Sequence, residues 1–322
     1  MLRGFIILCF TFFIAQVQAE ELSRRDDLFA KADIQQVNLS EAAVRLNKNN
    51  FDRSSIQYLL SASGTRLPVH YIAQTDISKM TFVFIGGFDS DLNTFTEIEE
   101  ILLPLGYGVV RLELPGQGNL ISKNPIIDPI TLVSQSRDLI SILDQLKIDK
   151  NKIALVGYSY GAAVAIQASI ETKVASLNLL NPLIAASLDN SSFASIFMRL
   201  KNISGPAPTN YQDTGELLAY LSTLGEYANQ DAKSFNLSEV TAAYNLFAGV
   251  PVETADELSL VSNRVSFFDG LADLVFSSSE KAKLFSRVLP IRRGIYYRAD
   301  GVTHHAEQSP VDVVKFLTEA NP

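Results

Sequence analysis

Short apolar runs that alternate with helix-spaced segments constrain this chain more than any other feature. Met80-Thr81-Phe82-Val83-Phe84-Ile85 runs into Gly86-Gly87, the composition of a strand covered on both faces. Further strands are expected over Gly108 to Leu114, Lys152 to Val156 and Val174 to Leu180. Between these, Asp91 to Leu103, Asp128 to Leu146 and Ala162 to Ile170 carry apolar residues at helical spacing. Ahead of them, Ser55 to Leu60 and Leu67 to Ile72 flank Ser63-Gly64-Thr65 as a hairpin. The rhythm breaks over 184–263, which reads as helices and loops. It resumes with a strand at Val265 to Phe268, a helix near Ser279 to Val288, a strand at Gly294 to Arg298 and a last helix at Val311 to Ala320. Such alternation predicts an α/β fold with a mostly parallel central sheet flanked by helices. On this reading 51–183 and 264–322 are the two parts of the core, and 184–263 is an inserted helical cap.

The N-terminus carries a different signal. Arg3 precedes the apolar stretch Gly4 to Ala15, and Val17-Gln18-Ala19 ends on a small residue before Glu20-Glu21. Residues 1–19 therefore read as a signal peptide, shorter than the roughly 20 residues of a comfortable membrane span. Export to a secreted or periplasmic location is expected, with a mature N-terminus at or near Glu20 that mass spectrometry would verify. Residues 20–50 form a charged extension without a legible motif. Cys9, the only cysteine, falls inside the leader, so the mature chain has no thiol for disulfides or for catalysis. A formal net charge of -8 without a Lys/Arg cluster argues against nucleic acid as a partner. Contact with a membrane or lipid surface is left open by these features, and so is the oligomeric state.

Chemistry concentrates at Gly157-Tyr158-Ser159-Tyr160-Gly161, where an apolar strand meets an Ala-rich helix. A serine on so tight a turn needs small neighbours two residues to either side, and the turn lifts its hydroxyl above the sheet edge. The backbone N–H of Tyr160 then lies at a helix N-terminus, suited to an oxyanion. A serine nucleophile needs a base. The chain has 3 histidines. His70 precedes the serine in an early hairpin strand and reads as a surface or packing residue. His304 follows the strand ending at Arg298 through Asp300-Gly301-Val302-Thr303, at the same sheet edge as the serine turn. His305 should point elsewhere. The acid that orients the base is read as Asp273, beyond Gly270-Leu271-Ala272 at another strand end. Asp269 directly continues its strand and reads as a turn or capping residue, and the loop after Leu180 offers Asn181-Pro182 without a carboxylate.

With these residues in place, the chain resembles the α/β-hydrolase superfamily of serine esterases and lipases over roughly Ser54 to Pro182 and Val265 to Pro322. Gly86-Gly87-Phe88 is similar to the family's oxyanion loop, and Leu114-Pro115-Gly116-Gln117-Gly118 to the strand-end turn that follows it. The resemblance implies that the backbone N–H of Phe88 joins that of Tyr160 in an oxyanion hole. It departs from the family at Gly86, a position commonly held by His, and at Thr303, often Gly. The expected activity is hydrolysis of an ester or thioester through a Ser159-His304-Asp273 triad, with a small acyl compound as substrate and no metal or organic cofactor. Two rivals use the same fold: an acyltransferase that admits an alcohol in place of water, and a non-catalytic secreted binding protein. Phe193, Phe197 and Tyr211 of the cap are candidates to line an acyl pocket or to pack the cap's own core.

Overall fold

Four strands expose no residue at all, which fixes them as the centre of a sheet covered on both faces. The computed structural model describes residues 56–120, 130–183, 264–273 and 294–322, with separate positions within 217–261, 275–276 and 281–286. The expected signal peptide (1–19) and extension (20–50) lie outside these, as does the expected cap (184–263) apart from Leu217, Tyr244, Leu258, Leu260 and Val261. Of those five, Leu217, Leu258 and Val261 are buried against the main core.

In chain order the elements are β1 (Ile56–Leu60), β2 (Arg66–Ile72), β3 (Thr81–Ile85), α1 (Thr96–Leu102), β4 (Gly108–Leu112), α2 (Leu132–Leu146), β5 (Ile153–Tyr158) and α3 (Tyr160–Glu171). They continue with β6 (Ser176–Leu180), β7 (Arg264–Gly270), β8 (Tyr296–Ala299) and α4 (Pro310–Ala320). A single eight-stranded sheet runs β1-β2-β4-β3-β5-β6-β7-β8. Only β2 runs against its neighbours β1 and β4, and every other pairing is parallel. The expected hairpin is the β1–β2 pair, closed where Gly64 N–H donates to the Ser61 carbonyl at 3.0 Å.

Side chains alternate across the sheet and build two cores. Along β5, Ile153 and Leu155 join the layer that holds Leu139 and Ile142 of α2 and Val164 and Ile166 of α3. Ala154 and Val156 face the opposite layer, with Ile98 and Leu102 of α1 and Val313, Phe316 and Leu317 of α4. Helix α2 begins at Thr131, whose Oγ1 accepts from Ser134 N–H while Ser134 Oγ accepts from Thr131 N–H, a reciprocal cap. The first expected helix is shorter than its periodicity suggested. Asp91 Oδ1 accepts from Asn93 N–H at 2.8 Å, and Glu113 Oε1 holds Leu92 N–H at 3.0 Å, so 91–95 is a turn and α1 starts at Thr96. Near the expected 279–288 helix, 281–283 and 285–286 are helical.

Register places the site. Ile85 pairs with Gly157, Tyr158 with Leu180, Leu180 with Phe268, and Gly270 with Ala299. The carboxyl ends of β3, β5, β6, β7 and β8 therefore open on one edge, where ligands of open α/β sheets bind.

Candidate active site

Ser159 occupies a backbone conformation that L-residues rarely adopt, with φ 50° and ψ −119°, between β5 and α3. Such a residue carries about 1–3 kcal/mol of strain, sustained by the packing around it. The flanking glycines explain how. A Cβ at Gly157 would come within 2.6 Å of the Ala162 Cα, and one at Gly161 would overlap the carbonyl oxygens of Ile85 and Gly86. Both glycines are thus demanded by close backbone approach. The turn is pinned by Ser159 N–H to the Leu180 carbonyl and by Leu183 N–H to the Ser159 carbonyl, each at 3.0 Å.

Ser159, His304 and Asp273 meet at the sheet edge, all three buried. His304 Nε2 lies 2.9 Å from Ser159 Oγ, and His304 Nδ1 lies 3.1 Å from Asp273 Oδ2. An ionised carboxylate only accepts, so Nδ1 carries the proton, and Nε2 of the neutral ring accepts from the serine hydroxyl. Asp273 Oδ1 accepts from Val275 N–H at 2.8 Å and Phe276 N–H at 3.1 Å, which orients the carboxylate. Burial by itself would push this carboxyl up, but hydrogen bonds from His304 and Lys281 and the charge of the Lys281 ammonium outweigh it and hold the group below its ordinary value. The imidazole is also clamped by rings. Tyr158 packs against it at 5.6 Å between centroids, and Phe276 meets it edge-on at 5.5 Å.

The loop after β3 borders the serine. A Cβ at Gly87 would stand 3.2 Å from the Ser159 Cβ, which places Phe88 beside the Ser159 turn. Gly87 N–H donates to Ser90 Oγ at 2.8 Å. Gly118 N–H donates to the Phe88 carbonyl at 3.1 Å, and Gln117 Nε2 to the Gly86 carbonyl at 2.8 Å, so the 114–118 turn buttresses this loop. Gly86 stands at the position often held by His because a Cβ there would overlap the Ser90 side chain. Tyr160 begins α3, and its hydroxyl donates to Gln135 Oε1 at 2.6 Å. Gln135 Nε2 in turn holds the Pro115 carbonyl at 2.6 Å.

One residue differs from its expected surroundings, and the two histidines outside the triad have partners of their own. Asp269 is neither turn nor cap: β7 continues through it, and its fully buried carboxylate accepts from Lys281 Nζ at 3.0 Å and Tyr296 OH at 2.6 Å. The ladder with β8 extends to Gly270, which draws Asp269 into the interior. Of the two readings of His70, surface or packing, the second holds: Glu99 Oε1 at 3.2 Å and the Arg111–Glu99 ion pair form a buried network with it across β2, β4 and α1. His305 faces Glu307 Oε1 at 3.0 Å and the Tyr158 hydroxyl at 3.4 Å. The Glu307 hydrogen bond outweighs burial and raises His305 above its ordinary value.

Four residues of this site escape the sequence reading: Asn181, Lys281, Tyr158 and Phe276. Asn181 has φ 38°, and its side chain ties three strand ends together. Its Nδ2 donates to the carbonyls of Thr303 at 2.8 Å and His304 at 3.0 Å, while its Oδ1 accepts from Gly270 N–H at 2.8 Å. The usable signal was its place at a strand end on the serine edge. For Lys281 the signal was its spacing four residues before the buried Phe285.

Sheet order, a strained serine at the end of β5 and polar groups gathered on the same edge define the class: an α/β enzyme of the hydrolase type. A family model for the alpha/beta hydrolase family matches residues 82–308. The chain belongs to the alpha/beta hydrolase family and is by that membership a hydrolase. No curated protein sequence matches it. Among solved structures it is similar to an esterase from Exiguobacterium antarcticum, with 17% identity, a TM-score of 0.56, and coverage of 80% of this chain and 99% of that one. A thermophilic esterase from Thermogutta terrifontis shows 16% identity and a TM-score of 0.59 over 83% and 97% of the two chains. A thioesterase domain from the curacin biosynthetic pathway shows 14% identity and a TM-score of 0.57 over 82% and 98%. At these identities the likeness is one of fold.

Proposed function

We propose that this protein hydrolyses an ester by nucleophilic catalysis, with Ser159 as nucleophile, His304 as general base and Asp273 as the orienting acid. The observation that carries the reading is the unbroken path from Asp273 Oδ2 through His304 to Ser159 Oγ, in contacts of 3.1 and 2.9 Å. Ser159 Oγ attacks the acyl carbonyl as its proton passes to His304 Nε2. Asp273 stabilises the imidazolium that forms and keeps its proton on Nδ1. The backbone N–H groups of Phe88 and Tyr160 are assigned to the developing oxyanion, Tyr160 at the positive end of α3. The imidazolium then protonates the leaving alkoxide, and a water activated by the same ring releases the acid from Ser159. An ester fits ahead of an amide because an alkoxide demands less protonation on leaving than an amine does. A thioester would use the same groups.

The test combines Ser159→Ala with a fluorophosphonate probe and a series of p-nitrophenyl esters of increasing chain length. The parent should be labelled at Ser159 and turn over at least one ester. Losing the nucleophile can cost on the order of a million-fold in turnover. Retention of activity within about tenfold of the parent, ~1.4 kcal/mol of barrier, would overturn the assignment. An unlabelled parent that hydrolyses none of the esters would favour the binding-protein rival.

A further inference from the structure

Eight residues beyond Asp273 lies a charged group that the mechanism above leaves unused. Lys281 is fully buried, and its Nζ meets three acceptors: Asp273 Oδ2 at 2.6 Å, Asp269 Oδ1 at 3.0 Å and Asn181 Oδ1 at 3.0 Å. An ammonium has three N–H donors, and each has a partner here. Both carboxylates are fully buried at their side chains. Two such groups converging on one nitrogen repel each other, and the ammonium between them offsets that repulsion.

Charge and geometry lead to the same conclusion. Two carboxylates and one ammonium sum to a single negative charge, the charge that a lone carboxylate would present to His304. Lys281 offsets Asp269 and leaves one net anion facing the ring. Its bond is made to Asp273 Oδ2, the oxygen that also receives His304 Nδ1–H, while Oδ1 is held by two backbone N–H groups. Asn181 extends the cluster to the histidine loop through the Thr303 and His304 carbonyls.

We propose that Lys281 is a positioning residue for the proposed reaction, fixing Asp273 in the orientation and the charge state that support His304 as base. The inference rests on the Ser159-His304-Asp273 reading and adds to it a second buried ion pair that sets the pH range of catalysis. Among the described residues, the titratable groups around the cluster are Asp269 on β7, Tyr296 and Arg298 on β8, and His304 in the loop after β8. Beyond the imidazole stand Tyr158, His305, Glu307 and Asp89.

Removing the cation makes the cluster more negative. The added negative charge facing the ring stabilises its protonated form, which cannot take the serine proton, and so moves the acid limb of kcat/KM to higher pH. A lysine that only packs would cost activity equally at every pH.

The experiment measures kcat/KM for a p-nitrophenyl ester, and the labelling rate of Ser159 by a fluorophosphonate, from pH 5 to 9 in the parent, Lys281→Met, Asp269→Asn and Lys281→Met/Asp269→Asn. The acid limb of Lys281→Met should rise by about one pH unit, so that it loses roughly tenfold more activity at the acid end than at the alkaline end. Asp269→Asn, which makes the cluster less negative, should shift the limb the other way. The double variant has the parent's net charge and should regain the parent's limb. If Lys281→Met does not fold, the opposite shift in Asp269→Asn reads the same coupling. Acid limbs that stay at the parent's position in both single variants, with a Ser159-dependent parent activity, would overturn the role of Lys281 alone. A parent with neither turnover nor Ser159 labelling would overturn the functional reading beneath it.

Discussion

Asp273→Asn exchanges one oxygen for an amino group where four hydrogen bonds converge. Oδ1 accepts from Val275 N–H at 2.8 Å and Phe276 N–H at 3.1 Å, and Oδ2 faces His304 Nδ1 at 3.1 Å and Lys281 Nζ at 2.6 Å. An amide supplies one acceptor oxygen. If that oxygen stays with the backbone donors, the amino group faces a lysine donor and forces His304 Nδ1 to accept. The ring proton then sits on Nε2 and points at Ser159 Oγ, which can no longer surrender its own. If the amide turns over, its amino group meets two backbone donors instead. Each charge-assisted hydrogen bond contributes about 1.5–3 kcal/mol, and either orientation forfeits at least one while leaving buried donors unmatched. Because Lys281 keeps Asp269 and Asn181, the net loss of folding stability should be about 3 kcal/mol. The wrong tautomer is worth about ten-thousand-fold in turnover in a serine protease, or ~5.4 kcal/mol of barrier. Ester turnover and urea unfolding of the same preparation measure the two effects. Turnover within about tenfold of the parent, ~1.4 kcal/mol, would refute the tautomer argument. An inactive variant as stable as the parent would refute the hydrogen-bond count.

His304→Gln should cost nearly as much turnover as Ser159→Ala, whereas His305→Gln should change it by less than about threefold, because a nucleophile and its base act as one unit. Ester kinetics of the two variants decide between the adjacent histidines. Gly161→Ala drives a methyl into the Ile85 and Gly86 carbonyls and should destabilise the protein by about 1–3 kcal/mol while slowing turnover, since the loop carrying Phe88 is displaced; thermal unfolding with unchanged midpoint and kinetics would contradict this. The His305–Glu307 pair is a pH-dependent contribution of the opposite sign to a carboxylate's. His305 is raised in the folded chain, so the pair stabilises fully below the ordinary value of 6.5 and is lost as pH rises through the folded value. Glu307→Gln should therefore lower the melting temperature at pH 5 and leave it unchanged at pH 9, the loss of stability being under about 1 kcal/mol because the His305 side chain is 44% exposed.

What the amino-acid sequence determines by itself is local in origin. The buried strands β3 to β6 are legible because a strand covered on both faces has to be apolar along its whole length. Ser159 is legible because the demand for Gly157 and Gly161 arises within a few residues of it. The strand-end positions of Asp273 and His304 follow from chain order, since parallel strands send all their carboxyl ends to one edge. Side-chain direction is another matter. Asp269 looks like a turn residue until the β7–β8 ladder reaches Gly270 and takes it into the interior. Asn181, Lys281 and Phe276 belong to elements whose periodicity carries no mark of a shared partner. Lys281 and Asn181 are 100 residues apart in the chain and meet at 3.0 Å only because the fold brings the helical stretch after β7 against the end of β6. A buried lysine is tolerated only where packing delivers an acceptor to each of its N–H groups and a carboxylate to its charge, a condition set by three separate segments at once and written in none of them alone.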